Sequence, residues 1–136
     1  MSNTRFTVAI HVLTLLALCG PEAATSEFIA GSVNTNPVVI RRILAGLRAA
    51  KLVGSQGGPG GGWRLLKDPA RISLRDVLLA SGEASLFQLH GTDPNPACPV
   101  GRSIQSLLAV RFQSAREALE KDLEGTTIAQ LLAEVT

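Results

Sequence analysis

The chain has 136 residues, of which 46% are hydrophobic and 18% charged, and its formal net charge is +2. This composition is globular and not disordered, and the length is that of one domain, with or without an appended arm, that can bury a core of its own. Two cysteines are too few for a disulfide framework, so we expect a protein of the reducing cytoplasm.

The small net charge conceals a basic segment. Residues 34–75 contain eight lysines and arginines and one aspartate, which gives +7, whereas residues 1–33 carry −1 and residues 76–136 carry −4. A compact basic segment in a chain that is otherwise near neutral indicates a polyanionic partner for that segment. A basic face that is merely solvated is the alternative.

The N-terminal region is apolar from Thr7 to Cys19, as in a secretory signal. It is too short to span a bilayer, and its large side chains recur at helical spacing. We therefore predict a buried first helix from about Thr4 to Cys19, ended by Gly20, and expect no membrane partner; a signal peptide is the alternative.

Residues 25–50 have the pattern of a helix-turn-helix. Thr25 is a suitable N-cap for a short helix through Val33, and Asn36 caps a third helix whose first position is Pro37. One face of the third helix is apolar, with Ile40, Ile43, Leu44 and Leu47. The opposite face carries Val38, Arg41, Arg42 and Arg48. This helix is therefore predicted to enter the major groove of double-stranded DNA.

Residues 56–67 read QGGPGGGWRLLK. They lack the Gly-Lys-Ser/Thr ending of a phosphate-binding loop, and Pro59 and Trp63 stand where a dinucleotide fingerprint needs glycine. Short apolar strands at 52–53 and 63–66 predict a β-hairpin, the wing of a winged helix. Glycines such as Gly60 and Gly61 would let the wing backbone approach DNA closely, with Arg64 and Lys67 near phosphate or a minor groove. An ordinary surface loop is the alternative.

The second half of the chain is dominated by a long helix. Ser73 to Asp76 form a capping box for a fourth helix, and a helix from about Val100 to Leu123 follows a turn-rich stretch. Its apolar stripe has nearly the spacing of a coiled coil and comprises Ile104, Leu108, Phe112, Ala115 and Leu119. We predict that this stripe forms a homodimer, with packing inside one chain as the alternative. A closing helix is predicted over 127–135.

These elements predict a mainly α fold with a small β-hairpin. Residues 1–82 would form a winged helix-turn-helix domain, and residues 83–136 would comprise a linker, the long dimerisation helix and the C-terminal helix.

Four segments resemble the bacterial winged-helix regulators that include IscR, NsrR and CymR, the Rrf-two family. They are TSEFIAGSVNTNPVVIRRILAGLRAAKLV, GGPGGGW, KDPARISLRDVLLA and NPACPVGRSIQ. The resemblance covers nearly the whole chain. It implies a sequence-specific transcription regulator, which we expect to be a repressor, acting as a homodimer on a pseudo-palindromic operator.

The resemblance also implies which residues approach DNA. Around the recognition helix these are Asn34, Thr35, Asn36, Val38, Arg41 and Arg42. Thr25 and Ser26 are candidates for anchoring the phosphate backbone, because helix N-termini attract phosphate. Which arginine would read bases and which would hold phosphate stays open.

The chain departs from the cluster-binding members of this family. Those members carry three cysteines before the long helix, whereas residues 82–103 contain only Cys98. We therefore expect no iron–sulfur cluster and no metal, with unusual ligands or a cluster bridging the dimer as the alternative. His11 and His90 have no partner at ligand spacing.

Cys98 just precedes a predicted helix N-terminus, which favours a reactive thiolate. Redox sensing by Cys98 is therefore one hypothesis, and a structural role is the other.

An enzyme and a binding module are the alternatives to DNA regulation. The sequence shows no nucleophile and base pair, carboxylate pair or ligand cluster, so we expect no enzyme. A winged-helix module that binds a protein or a small effector, without sequence-specific DNA binding, is the remaining alternative, and nothing in the sequence names such an effector.

Overall fold

A computed structural model of the chain describes residues 4–82 and 87–136. The chain divides into two compact units. The described part of the first unit is residues 4–82 and 123–136, and that of the second is residues 87–122. Six helices and one antiparallel hairpin appear in the described residues, so the predicted fold class is confirmed.

The first three helices are set by local signals at their ends. Helix α1 (Arg5–Cys19) ends at Gly20, whose φ of 64° is in the left-handed region and whose N–H donates to the Leu16 carbonyl. Helix α2 (Ser26–Val33) begins where the Thr25 hydroxyl accepts a hydrogen bond from the backbone of Phe28. Helix α3 (Pro37–Ala49) begins where the Asn36 side chain accepts one from Val38. These bounds agree with the predicted helices to within about a residue.

The hairpin is longer on its first strand than expected. Strand β1 (Val53–Gln56) pairs antiparallel with β2 (Gly62–Leu65) in the register Val53 to Leu65 through Gln56 to Gly62. Residues 54–56 were predicted as loop because a period-two apolar pattern is missing there. Their pairing is instead imposed by the partner strand, which leaves residues 57–61 as the wing tip.

The remaining helices are α4 (Leu74–Ala80), α5 (Pro99–Leu123) and α6 (Ile128–Val135), and a 3-10 turn over Pro69–Arg71 precedes α4. The predicted capping box is present, because the Ser73 hydroxyl accepts from the Asp76 backbone while the Asp76 carboxylate accepts from the Ser73 backbone. A second capping box, of Thr127 and Gln130, opens α6.

The core of the first unit is aliphatic. Side chains from α1, α2, α3 and α4 meet there with Val53 of the hairpin and Ile128 of α6. Its largest fully buried members are Leu13, Leu16, Ile29, Ile40, Leu44, Leu47, Ile72 and Ile128. Burial of each contributes about 1.5–3 kcal/mol to stability. The apolar N-terminal segment is thus part of this core.

Helix α6 returns to the first unit through backbone hydrogen bonds. The Ile128 N–H donates to the Ile72 carbonyl at 2.9 Å, and the Leu74 N–H donates to the Thr126 carbonyl at 2.9 Å. The predicted division of the chain places this helix with the long helix, in residues 83–136. In the structure α6 packs on α1 and on the 3-10 turn.

Candidate nucleic-acid interface

Helices α2 and α3 are joined by a tight three-residue turn. Asn34 adopts φ 64° and ψ 52°, the left-handed conformation that asparagine tolerates better than most residues, and it ends α2. The Thr35 N–H then donates to the Ala30 carbonyl at 3.0 Å, and the Asn36 carboxamide caps α3. Asn34 and Asn36, both predicted near DNA, therefore also set the geometry of this turn.

The outer face of α3 is exposed along its length. Ile40, Leu44 and Leu47 are fully buried, whereas Val38, Arg41, Arg42 and Arg48 are all exposed. The division between faces is the one that the 3.6-residue period predicts. The exposed face has the charge and the helical shape that a DNA major groove accepts.

Two arginines on that face have different partners. The Arg41 guanidinium donates to the Glu27 carboxylate of α2 at 3.0 Å, and the two side chains are 55% and 67% exposed. Arg42 lines a cavity of about 360 Å³ together with Arg5 of α1 and Ser81. Arg5 lies outside the basic segment, so the sequence gives no signal for it at this site, and only tertiary packing brings it to Arg42.

The start of α2 presents one of its two predicted anchoring side chains. Thr25 is exposed, whereas Ser26 is only 9% exposed. Phe28, one turn further along, is 56% exposed. This exposed aromatic side chain near Thr25 could not be predicted, since helical periodicity alone does not distinguish Phe28 from a core residue.

The wing is attached to the helix-turn-helix by backbone hydrogen bonds. The Trp63 N–H donates to the Ala24 carbonyl at 2.7 Å, and the Ala24 N–H donates to the Trp63 carbonyl at 2.9 Å. Gly62 makes this approach possible, because a Cβ at that position would lie 2.6 Å from the Ala24 oxygen, and its φ is 143°.

Only some of the glycines in the wing are required by its backbone conformation and close contacts. Gly61 has no room for a side chain either, since its Cβ would lie 2.1 Å from the Gln56 carbonyl oxygen. Gly57, by contrast, has no positive φ, and a Cβ there would meet open space. Gly60 is exposed at the tip with φ 75°.

The basic side chains of the wing lie on its exposed surface. Arg64 and Lys67 are both exposed, and the Arg64 guanidinium donates to the Gln56 side chain across the hairpin. Arg48 points from α3 towards the wing, with its guanidinium carbon 4.6 Å from the centre of the Trp63 ring. The predicted basic residues of α3 and the wing thus belong to one continuous unit of the fold.

The second unit contains the predicted dimerisation stripe and Cys98. Ile104, Leu108, Phe112 and Leu119 are half-buried, and Ala115 is exposed. Phe112 stacks on Phe87 with 5.3 Å between ring centres. None of the 25 residues of α5, all of them described, is buried.

Cys98 is exposed at the start of α5 and lies in a turn built by Asn95. The Ala97 N–H donates to the Asn95 side chain at 2.9 Å, and the Cys98 N–H donates to the Asn95 backbone carbonyl at 3.2 Å. The Cys98 carbonyl accepts from the Arg102 N–H at 2.9 Å. Cys19, on α1, is half-buried.

Within residues 4–82 and 87–136, no three histidine, cysteine or acidic side chains are grouped so that they could hold a metal ion. The His11 ring is hydrogen-bonded to the Ser32 hydroxyl at 2.9 Å. The same ranges contain no helix with the length and apolar character needed to cross a bilayer.

Comparison with known proteins gives consistent matches over nearly the whole chain. Residues 2–134 match the model of the Rrf2 family, described as an iron-dependent transcriptional regulator. YwnA of Bacillus subtilis (strain 168), named as an HTH-type transcriptional regulator, is 43% identical over 133 residues, which is 97% of each chain.

Solved structures share the fold. The crystal structure of a protein described as DNA-binding is 39% identical, with a TM-score of 0.76 over 94% of this chain and 98% of that one. CymR (YrzC), the global cysteine regulator of B. subtilis, has a TM-score of 0.71 at 24% identity over 98% of this chain and 97% of its own. The second likeness concerns the fold alone.

The family is described as iron-dependent, but this chain lacks the usual ligands of an iron–sulfur cluster. A cluster site of the usual kind needs four ligands, mostly thiolates, and the sequence offers one cysteine in each unit. The described residues therefore do not fit an iron–sulfur cluster of the usual kind held within one chain.

Proposed function

Because the chain belongs to the Rrf2 family of transcriptional regulators, we propose that it binds double-stranded DNA through α3 and the wing and represses transcription as a homodimer. It is a regulator and not an enzyme. The observation that carries the proposal is the outer face of α3, where Val38, Arg41 and Arg42 stand exposed on a helix whose other face is locked in the core. Guanidinium groups can pair bidentately with guanine, and a valine can contact a thymine methyl.

The homodimer is proposed from the second unit. Helix α5 has 25 residues, and none of them is buried. Its apolar stripe at coiled-coil spacing, which comprises Ile104, Leu108, Phe112, Ala115 and Leu119, is therefore available to a second copy. Two copies related by a two-fold axis would place two recognition helices on successive major grooves, so the operator would be pseudo-palindromic. A dimer seated on a promoter would repress by excluding the polymerase.

The proposal is tested by selecting duplexes from a random library with the purified protein and measuring binding at rising salt. We expect a two-fold symmetric consensus, bound with an affinity that falls steeply as salt rises because phosphate neutralisation releases counterions. Replacing Arg41 and Arg42 together by Ala should abolish the preference. Binding without sequence preference would contradict the proposal and favour a protein-binding or effector-binding module.

We further propose that the protein works without an iron–sulfur cluster, in the cytoplasm where its DNA target lies. Iron and acid-labile sulfide are measured in protein purified without oxygen. Less than about one iron per dimer is expected, since a cluster would need ligands beyond Cys98. A stoichiometric cluster would show that two chains together supply the donors.

A redox response through Cys98 is the last part of the proposal. Its exposed thiol lies directly before α5. A peroxide would oxidise it to a sulfenic acid with release of water or alcohol, and condensation with a second thiol would release water and form a disulfide. Oxidant should weaken operator binding by the wild-type protein and leave the Cys98→Ser protein unaffected. Equal responses of the two proteins would leave Cys98 with a structural role.

A further inference from the structure

One arginine of the recognition helix contacts the wing. Arg48 lies in the last turn of α3, and its guanidinium stacks 4.6 Å from the centre of the Trp63 ring on β2. The same guanidinium donates from Nη2 to the Ser55 hydroxyl on β1 at 2.9 Å. Ser55 and Trp63 are direct partners in the hairpin register. A single side chain therefore holds both strands of the wing at the same level.

That level is also where the wing meets the helix-turn-helix from the other side. Trp63 exchanges two backbone hydrogen bonds with Ala24, next to the Thr25 cap of α2. One register pair further along, Gln56 faces Gly62, and the tip at 57–61 begins. The Ala24 backbone and the Arg48 side chain therefore both hold the hairpin just below its tip, in addition to the packing of Val53 in the core.

The chemistry of this contact requires arginine. A planar guanidinium can stack on an indole face while it donates a hydrogen bond in its own plane, whereas an ammonium group is a compact and strongly hydrated charge with no plane to stack. A residue that only neutralised phosphate would be served nearly as well by lysine. The geometry therefore separates Arg48 from Arg41 and Arg42, whose side chains do not bridge α3 and the wing.

We propose that Arg48 is a positioning residue, which sets the angle between the recognition helix and the wing and so determines operator affinity through the wing and not through a phosphate contact of its own. This inference rests on the proposed function, because it concerns how the DNA-binding surface is assembled. It predicts that the wing orientation, and not the number of neutralised phosphates, changes when Arg48 is replaced.

The first test needs no DNA, because Trp63 is the only tryptophan of the chain. Acrylamide quenching of its fluorescence is compared in the wild-type, Arg48→Lys and Arg48→Gln proteins. We expect the quenching constant to rise in both variants as the stacked guanidinium leaves the ring. Urea unfolding of each variant shows that the fold is retained, and Ser55→Ala, on an exposed strand position, is a second variant that loosens the same contact. Unchanged quenching in Arg48→Gln would overturn the proposal.

The second test uses the duplex selected by the wild-type protein. For Arg48→Lys we expect a loss of about tenfold in affinity, the size of one cation–π contact with its hydrogen bond. The slope of log affinity against log salt should stay unchanged. Arg71→Lys is the matched control, since Arg71 is exposed in the 3-10 turn outside the proposed interface, and its affinity should equal that of the wild type.

The outcomes separate this inference from the proposed function. Full affinity in Arg48→Lys, together with a slope reduced by about 0.9 per lost contact in Arg48→Gln, would make Arg48 a phosphate ligand and overturn the positioning role. A wild-type protein that selects no duplex would overturn the proposed function and the role of Arg48 with it. A wild-type protein that binds, with Arg48→Lys weakened at constant slope, supports both.

Discussion

Helices α3 and α5 both carry branched aliphatic side chains at helical spacing, yet they bury them to different extents. On α3, Ile40, Leu44 and Leu47 are fully buried, and the opposite face is basic and exposed. On α5, the stripe from Ile104 to Leu119 is at most half-buried, and Leu107 and Val110 on a neighbouring face are exposed. Under the proposed function the two surfaces have different partners: the exposed polar face of α3 would bind a polyanion, and the exposed apolar face of α5 would bind a second chain.

Removing volume from the buried face of α3 should have the greatest effect on stability. Leu44→Ala should lower the free energy of unfolding by about 2–5 kcal/mol, because it leaves a cavity among fully buried neighbours. Leu107→Ala, at a position on α5 that is 51% exposed, is the matched control and should cost less than about 1 kcal/mol within one chain. Urea denaturation measures both, and equal losses would contradict the division between the two helices.

The apolar stripe of α5 is the proposed dimer contact. Leu108→Asp places a charge in the α5 stripe and should weaken the dimer by about a hundredfold or more, since an unpaired charge would be desolvated in the interface. Ser106→Asp adds the same charge on the opposite side of α5 and should leave the dimer intact. Sedimentation equilibrium over a range of protein concentrations gives the two dissociation constants. A monomeric wild-type protein would contradict the proposal that the apolar stripe of α5 forms a dimer.

Within the winged unit, the wing offers a matched pair of glycines. Gly62→Ala forces a Cβ to within 2.6 Å of the Ala24 oxygen at a positive φ, and should cost about 1–3 kcal/mol of stability. Gly57→Ala meets open space and should be neutral or stabilising by less than about 1 kcal/mol. Thermal unfolding measures both. Equal costs would show that the wing is not held against Ala24 in solution.

The parts of this molecule that sequence predicts well are those with local causes. The ends of α2, α3 and α4 depend on Thr25, Asn36 and Ser73, whose partners lie within three residues. The inner face of α3 follows from its period. The family resemblance added the expectation of a homodimeric regulator and of the residues that would approach DNA.

Long-range contacts could not be predicted in this way. Arg48 appears in the sequence as one more outward arginine, and only the fold brings Trp63, fifteen residues away, beneath it. The hydrogen bond from Ile128 to Ile72, which seats α6 on the first unit, spans more than fifty residues and leaves no local signal. The exposure of Phe28 likewise depends on which helices cover α2. Such contacts depend on how elements pack, and packing is decided by shape over the whole domain.

The Glu27 carboxylate accepts a hydrogen bond from Arg41 on the exposed face of α3. The pair is well exposed, so its loss should change stability by no more than about 1 kcal/mol. Its effect on binding should be larger than its effect on stability, because a carboxylate beside the phosphates repels any duplex and gives Arg41 an alternative partner. We expect Glu27→Gln to raise the affinity for random-sequence duplex about threefold while operator affinity changes less, so that specificity falls.

Glu22→Gln, which removes an exposed charge before α2, is the control and should leave the ratio of the two affinities unchanged. If Glu27→Gln lowered both affinities equally, the carboxylate would instead be orienting Arg41 towards the DNA, and the polar face of α3 would be preorganised by its neighbour in the same way that its inner face is fixed by the core.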